Sequence, residues 1–179
     1  MSAYIKFATP MVDRDCLVEA LTDMGIQRGQ IEVHIEAVPL VGFGGVGRGQ
    51  KAEVVIRRQH VGQSSNDIGF LLTPTGYSVL ISDLDRQRFG AEWLGNLHGK
   101  YQIRERQKIA RLEEDARQAA AEATRIAAER ERMRMEEERR RLVETQRRAV
   151  MEKAKKLGYQ VQEKREGDVL RIVLVKNIF

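Results

Sequence analysis

Residues 100 to 157 contain no Gly, Pro, Asn or Ser and are rich in Ala, Glu, Arg, Lys and Gln. Nothing in that stretch punctuates a helix. The pattern predicts one unbroken helix from near Trp93 to Leu157. At about 1.5 Å rise per residue, the stretch over 100–157 alone would reach roughly 85 Å. A helix of that length cannot pack wholly against a domain built from the remaining residues. It must reach outward, pair with another helix, or both. An interaction or scaffolding role is therefore favoured over an enzymatic one.

Charge is concentrated on the same stretch. Residues 101 to 157 carry 17 Lys/Arg against 12 Asp/Glu, whereas residues 1 to 100 carry 10 against 11. The flanks are near neutral, so a core is available to them although charged residues make up 32% of the chain. Cys16 is the single cysteine, which excludes an intrachain disulfide framework. It lies in an apolar run and reads as a small buried hydrophobe. No apolar run approaches membrane-spanning length, and the first residues lack the basic-then-apolar layout of a secretion signal. A soluble, cytoplasmic protein is expected.

Local signals divide the remainder. Ala3 to Ala8 reads as a strand, and Asp13 as the cap of a helix running to about Met24, ended by Gly25. Ile31 to Glu36 alternates, which predicts a strand with Ile31, Val33 and Ile35 inward, closed by Pro39. A glycine-rich loop over 42 to 49 follows. Strands are predicted at Ala52 to Arg57, Asp67 to Thr73 and Tyr77 to Ser82, the last two joined by a Pro-Thr-Gly turn. Beyond the long helix, Tyr159 to Lys164 and Val169 to Val175 read as a hairpin. Few helices and several hairpins make this an α+β chain with a small, mostly antiparallel sheet. Three parts are expected: a head over 1–100, the helix over 101–157, and a hairpin over 158–179. A two-stranded hairpin is marginal alone, so it is expected to complete the head sheet of its own or a partner chain.

Several segments, in this order, resemble an uncharacterised family of plastids, cyanobacteria and other bacteria called hypothetical chloroplast reading frame thirty-five. They are Gly49, Gln50 and Lys51 leading into the strand that ends at Arg57; Asp67, Ile68, Gly69 and Phe70; Ser82, Asp83 and Leu84; Leu97 through Tyr101; Ala154 through Tyr159; and Val169 through Val175. The resemblance covers most of the chain outside about 104 to 147. It implies a fold and no chemistry, since the family has no established activity. It also implies a companion, because members resemble partners of AAA-type ATPases. The helix between Tyr101 and Gly158 departs from the family in being much longer.

No catalytic constellation, metal-ligand spacing or cofactor motif emerges. The Gly42–Gly49 loop is followed by Lys51 opening a strand, whereas a phosphate-binding loop opens a helix. Its expected role is a hairpin connection. His34, His60 and His98 are scattered. Asp67 and Asp83 read as turn or edge residues, and Phe89 with Trp93 as the apolar base of the long helix.

The helix carries a seam. Ile109, Leu112, Ala116, Ala119, Ala123, Ile126, Arg130 and Met133 recur at alternating spacings of 3 and 4, the a and d positions of a heptad repeat. The stripe breaks across Glu136 to Arg141 and is read as resuming in a shifted frame at Leu142, Ala149, Met151, Ala154 and Leu157. The expected function is a non-enzymatic adaptor or scaffold acting through this helix by self-association or docking. Small Ala116, Ala119 and Ala123 favour an antiparallel homodimer. The alternative is a basic nucleic-acid-associated protein. It is weaker because the cations interleave with anions instead of forming a one-sided stripe.

Overall fold

The computed structural model describes residues 3–45, 47–62, 64–166 and 169–176. The chain divides into two compact units, residues 1–115 and 116–179. The first begins with strand β1 (Tyr4–Ala8) and helix α1 (Arg14–Asp23). Asp13 caps α1 as expected, its side chain accepting a hydrogen bond from the Cys16 N–H. Gly25 follows the helix at φ +93°, a conformation that favours glycine. Strands β2 (Ile31–Val41) and β3 (Gly47–Ile56), the short helix α2 (Arg58–Val61), and strands β4 (Ile68–Thr73) and β5 (Gly76–Ser82) come next. The five strands form one antiparallel sheet in the order β1-β5-β4-β3-β2.

The period-two pattern of these strands divides the apolar residues between two faces. Val54, Ile56, Phe70, Val79 and Ile81 join Leu17 and Leu21 of α1 in the larger core. Leu40, Ala52, Val55 and Leu80 form a smaller one. Gly69 sits opposite Leu80 and Val55 in the register. A Cβ there would lie 2.7 Å from both the Ala52 Cβ and the Leu40 Cδ1. The missing side chain is the space that Leu40 fills.

Two expectations about β2 are corrected. Pro39 does not close the strand but lies inside it, opposite Lys51. β2 is an edge strand, so the absent N–H leaves no ladder bond unmade. Ile31 is buried and Val33 packs against the core, but Ile35 is 96% exposed. The register shifts between Val33 and Val38, and that irregularity breaks the alternation on which an inward Ile35 depended.

Helix α3 (Arg86–Phe89) ends at Gly90, and helix α4 runs unbroken over Ala91–Lys156. Phe89 is buried and meets Trp93 edge-on, with ring centroids 5.2 Å apart. Gly95 and Gly99 lie within α4, and a Cβ at either would meet nothing within 4 Å. They do not serve to bring the helix base close to the sheet. Lys153, Lys155 and Lys156 occupy the last turn of α4, and Gly158 follows at φ +78°.

The second unit holds the rest of α4 with strands β6 (Tyr159–Glu166) and β7 (Val169–Lys176), which pair only with each other. Tyr159, Val161 and Ile172 are half-buried on one face, while Val173 and Val175 are exposed on the other. Of the positions expected to continue the stripe after Met133, Met151 is half-buried and Ala154 buried, whereas Leu142, Ala149 and Leu157 are exposed.

The glycines give opposite predictions. Gly69→Ala overpacks the smaller core and is expected to cost about 1–3 kcal/mol. Gly99→Ala removes backbone freedom at an open helical position and is expected to gain roughly 0.5–1 kcal/mol. Urea unfolding of the two variants measures both; equal effects of one sign would contradict the packing described.

Candidate functional site

Three clusters merit a functional reading. The first is built around Asp67, whose side chain is 1% exposed. The loop before β4 carries it under the sheet edge. Its Oδ2 accepts from the Val41 N–H at 2.9 Å and from Arg57 Nη1 at 2.9 Å, and its Oδ1 accepts from the Arg58 N–H at 2.8 Å. The Tyr4 hydroxyl donates to the Asp67 carbonyl at 2.9 Å. Arg57 also donates to Glu32 through Nε at 2.7 Å and Nη2 at 2.6 Å. His34 lies 3.0 Å from the same carboxylate. The Arg57 guanidinium holds Glu32 below the usual carboxylate range despite partial burial, and Glu32 in turn raises Arg57. Beside it, Asn66 Oδ1 accepts from the Phe43 N–H at 2.6 Å, and Ser65 donates to Asp85 at 2.7 Å.

This network lines an open cleft with Glu32, Val38, Pro39, Arg57, Arg58 and Gln59. Asp67 accepts from three donors and Arg57 spans two carboxylates, so their capacity is spent on structure. Asp67 is thus a buried residue bonded on both carboxylate oxygens. It ties β2, α2 and β4 together. Asp83 is exposed, its side chain accepting from the Leu84 N–H at 2.9 Å. Gly49 adopts φ +76°, Gln50 and Lys51 are exposed, and Phe70 is fully buried. The resemblance positions therefore do not converge on one site. The loop before β3 joins two strands, as expected, and the Phe43 N–H ties it to Asn66.

The second cluster joins α1 to the first turns of α4. Tyr101 is 2% exposed, and its hydroxyl accepts from the Val12 N–H at 3.1 Å and the Asp13 N–H at 2.9 Å. It donates to Glu105 at 3.2 Å. Lys108 Nζ donates to Asp13 Oδ2 at 2.6 Å, and Arg104 grips Asp23 with Nε at 2.7 Å and Nη2 at 2.6 Å. Burial pushes the Asp13 carboxyl up, but bonds from Lys108 and Cys16 outweigh it and hold the group below its ordinary value. The Arg104 hydrogen bonds do the same for Asp23. Burial pushes the Cys16 thiol up to about 11, so it is an inert core group. Sequence reasoning singled out none of Glu32, Arg57, Arg104 or Lys108 as a contact; only Tyr101 and Arg57 fell within segments of the resemblance.

The third cluster is the seam. Ile109 is 51% exposed, Leu112 58%, Ile126 39% and Met133 65%. Ala116, Ala119, Ala123 and Arg130 are exposed as well. Among the described residues no group of His, Cys, Asp or Glu is arranged to hold a metal ion, and no helix is long and apolar enough to cross a membrane. No family model, curated protein or solved structure matches this chain.

Two predictions test these clusters. Asp67→Asn leaves Arg57 with one carboxylate and is expected to destabilise the chain by about 3 kcal/mol in urea unfolding. A loss too small to measure would show that the carboxylate is held for another reason. At the α1–α4 junction, the folded-state values of Asp13 and Asp23 lie below 3.8. Their contribution is present above that value and lost as pH falls through the lower folded values. Lys108, raised above 10.5, contributes fully below 10.5 and loses that contribution as pH rises through its folded value. A Lys108→Gln/Arg104→Gln variant should therefore show a flatter fall of the urea midpoint in acid than the unaltered chain. Parallel curves would contradict the pairing.

Proposed function

We propose that this chain is a non-enzymatic adaptor that presents the exposed seam of α4 for helix–helix association in the cytoplasm. The observation that carries the reading is exposure of four large apolar residues, Ile109, Leu112, Ile126 and Met133, at heptad spacing on one face of a helix rich in charged residues. Apolar side chains at a and d positions gain by leaving water against a second helix. Self-association as a homodimer fits that face. The resemblance adds an AAA-type ATPase as the class of companion to seek.

Several cations of α4 are met by anions on the same helix. Arg140 bonds to Glu136 at 2.6 Å, and Arg148 to Glu144 at 3.3 Å. This interleaving argues against a one-sided basic track for nucleic acid. The adaptor reading also accords with the spent hydrogen-bonding capacity around Asp67.

The test is recovery of partners from the native host by the unaltered chain and by an Ile126→Asp/Met133→Asp variant, at low and high salt. Capture that survives high salt and disappears in the variant is expected. Capture of nucleic acid that collapses steeply with salt would favour the alternative. An identical set of proteins on both chains would remove the seam from the account.

A further inference from the structure

We infer that the occupant of the α4 seam is the seam of a second copy of this chain, paired parallel and in register. The inference rests on the adaptor reading above and adds the partner and its direction. It is carried by the charges flanking the seam.

With Ile109, Ala116, Ala123 and Arg130 at a, and Leu112, Ala119, Ile126 and Met133 at d, the g positions are Asp115, Glu122, Glu129 and Glu136. All four are acidic and exposed. The e positions five residues after them, Ala120, Ala127, Arg134 and Arg141, are neutral or basic and exposed; the first e position, Glu113, is acidic and faces Lys108 in a parallel pair. In a parallel pair each g residue faces the e residue five positions later on the partner. Asp115 then faces Ala120, Glu122 faces Ala127, Glu129 faces Arg134, and Glu136 faces Arg141. None of these contacts joins like charges, and Glu129 with Arg134 joins opposite charges on each side; Glu136 and Arg141 lie past Met133 and are bonded in-chain to Arg140 and Glu137.

An antiparallel pair sets g against g. The register that overlays the seam most fully sets Ile109 against Met133, and it places Glu122 against Glu122 once and Asp115 against Glu129 twice. Because four successive g positions are acidic, sliding the helices exchanges one acid–acid contact for another. The small alanines alone favoured the antiparallel arrangement; the flanking charges reverse that preference. One layer opposes the parallel pair, since Arg130 meets Arg130 across the seam. Each guanidinium there has Glu129 of the other copy beside it to accept its hydrogen bonds.

The fold also bounds the seam. At its start Lys108, a g residue, is bonded to Asp13 of α1. At its end Glu137 and Arg140 take the a and d positions, and beyond them Met151 is half-buried and Ala154 buried. The stretch left for a second copy is Ile109 to Met133.

Full-length chains carrying Cys16→Ala plus either Leu112→Cys or Met133→Cys test the geometry under mild oxidation. Each variant is expected to cross-link to itself in high yield, because both d positions face their own counterparts only in a parallel, in-register pair. Sedimentation of Glu129→Arg should show self-association weakened about tenfold, with Glu129→Arg/Arg134→Glu restoring it. Absence of both cross-links, with Glu129→Arg tightening the association, would overturn the parallel arrangement and leave self-pairing through the seam in place. A monomeric mass at every concentration, with a partner still held through Ile126 and Met133, would overturn self-pairing while the adaptor reading stands.

Discussion

The structure depends on how one residue, Tyr101, seats the long helix. Its hydroxyl takes the Val12 and Asp13 N–H groups at the start of α1, while Asp13 caps that helix and accepts from Lys108. One buried oxygen thus satisfies two backbone donors that would otherwise be costly to bury. Leu97 and Tyr101 are in the core, and Arg104 and Lys108 are paired with α1, at spacings of 4, 3 and 4. Three turns of α4 are therefore part of the head. The helix continues past them because nothing in its sequence stops it.

That division explains why the same helix has two characters. Up to Lys108 its contacts are made within the chain. From Ile109 to Met133 its large apolar residues are exposed at regular spacing. Salt bridges four residues apart each add only about 0.2–0.5 kcal/mol. Together they help keep a charged helix formed in water.

Much of this was legible in the residues. Asp13 as a cap, Gly25 and Gly158 as helix ends, and the continuity of α4 all follow from local chemistry, and local chemistry prevailed. The errors arose where tertiary position overrides pattern. Pro39 reads as a strand end only if the strand is central; at a sheet edge it is tolerated. Ile35 alternates correctly in sequence, yet the register shift after Val33 leaves it in water. Asp67 looked like a turn residue because its partners, Val41 and Arg57, are brought to it by the sheet and not by sequence proximity. Beyond Met133 apolarity picked out Met151 and Ala154, which are sheltered, together with Leu142, Ala149 and Leu157, which are exposed.

The central claim is that α4 has a base fixed to the head and a seam whose partner is a second chain. Amide hydrogen exchange along the helix, followed over a wide range of protein concentration, tests it most directly. The account predicts strong protection over 97–108 at every concentration, and protection over 109–133 that rises as concentration rises. Exchange over 97–108 as fast as in the seam, or seam protection that does not change with concentration, would contradict it.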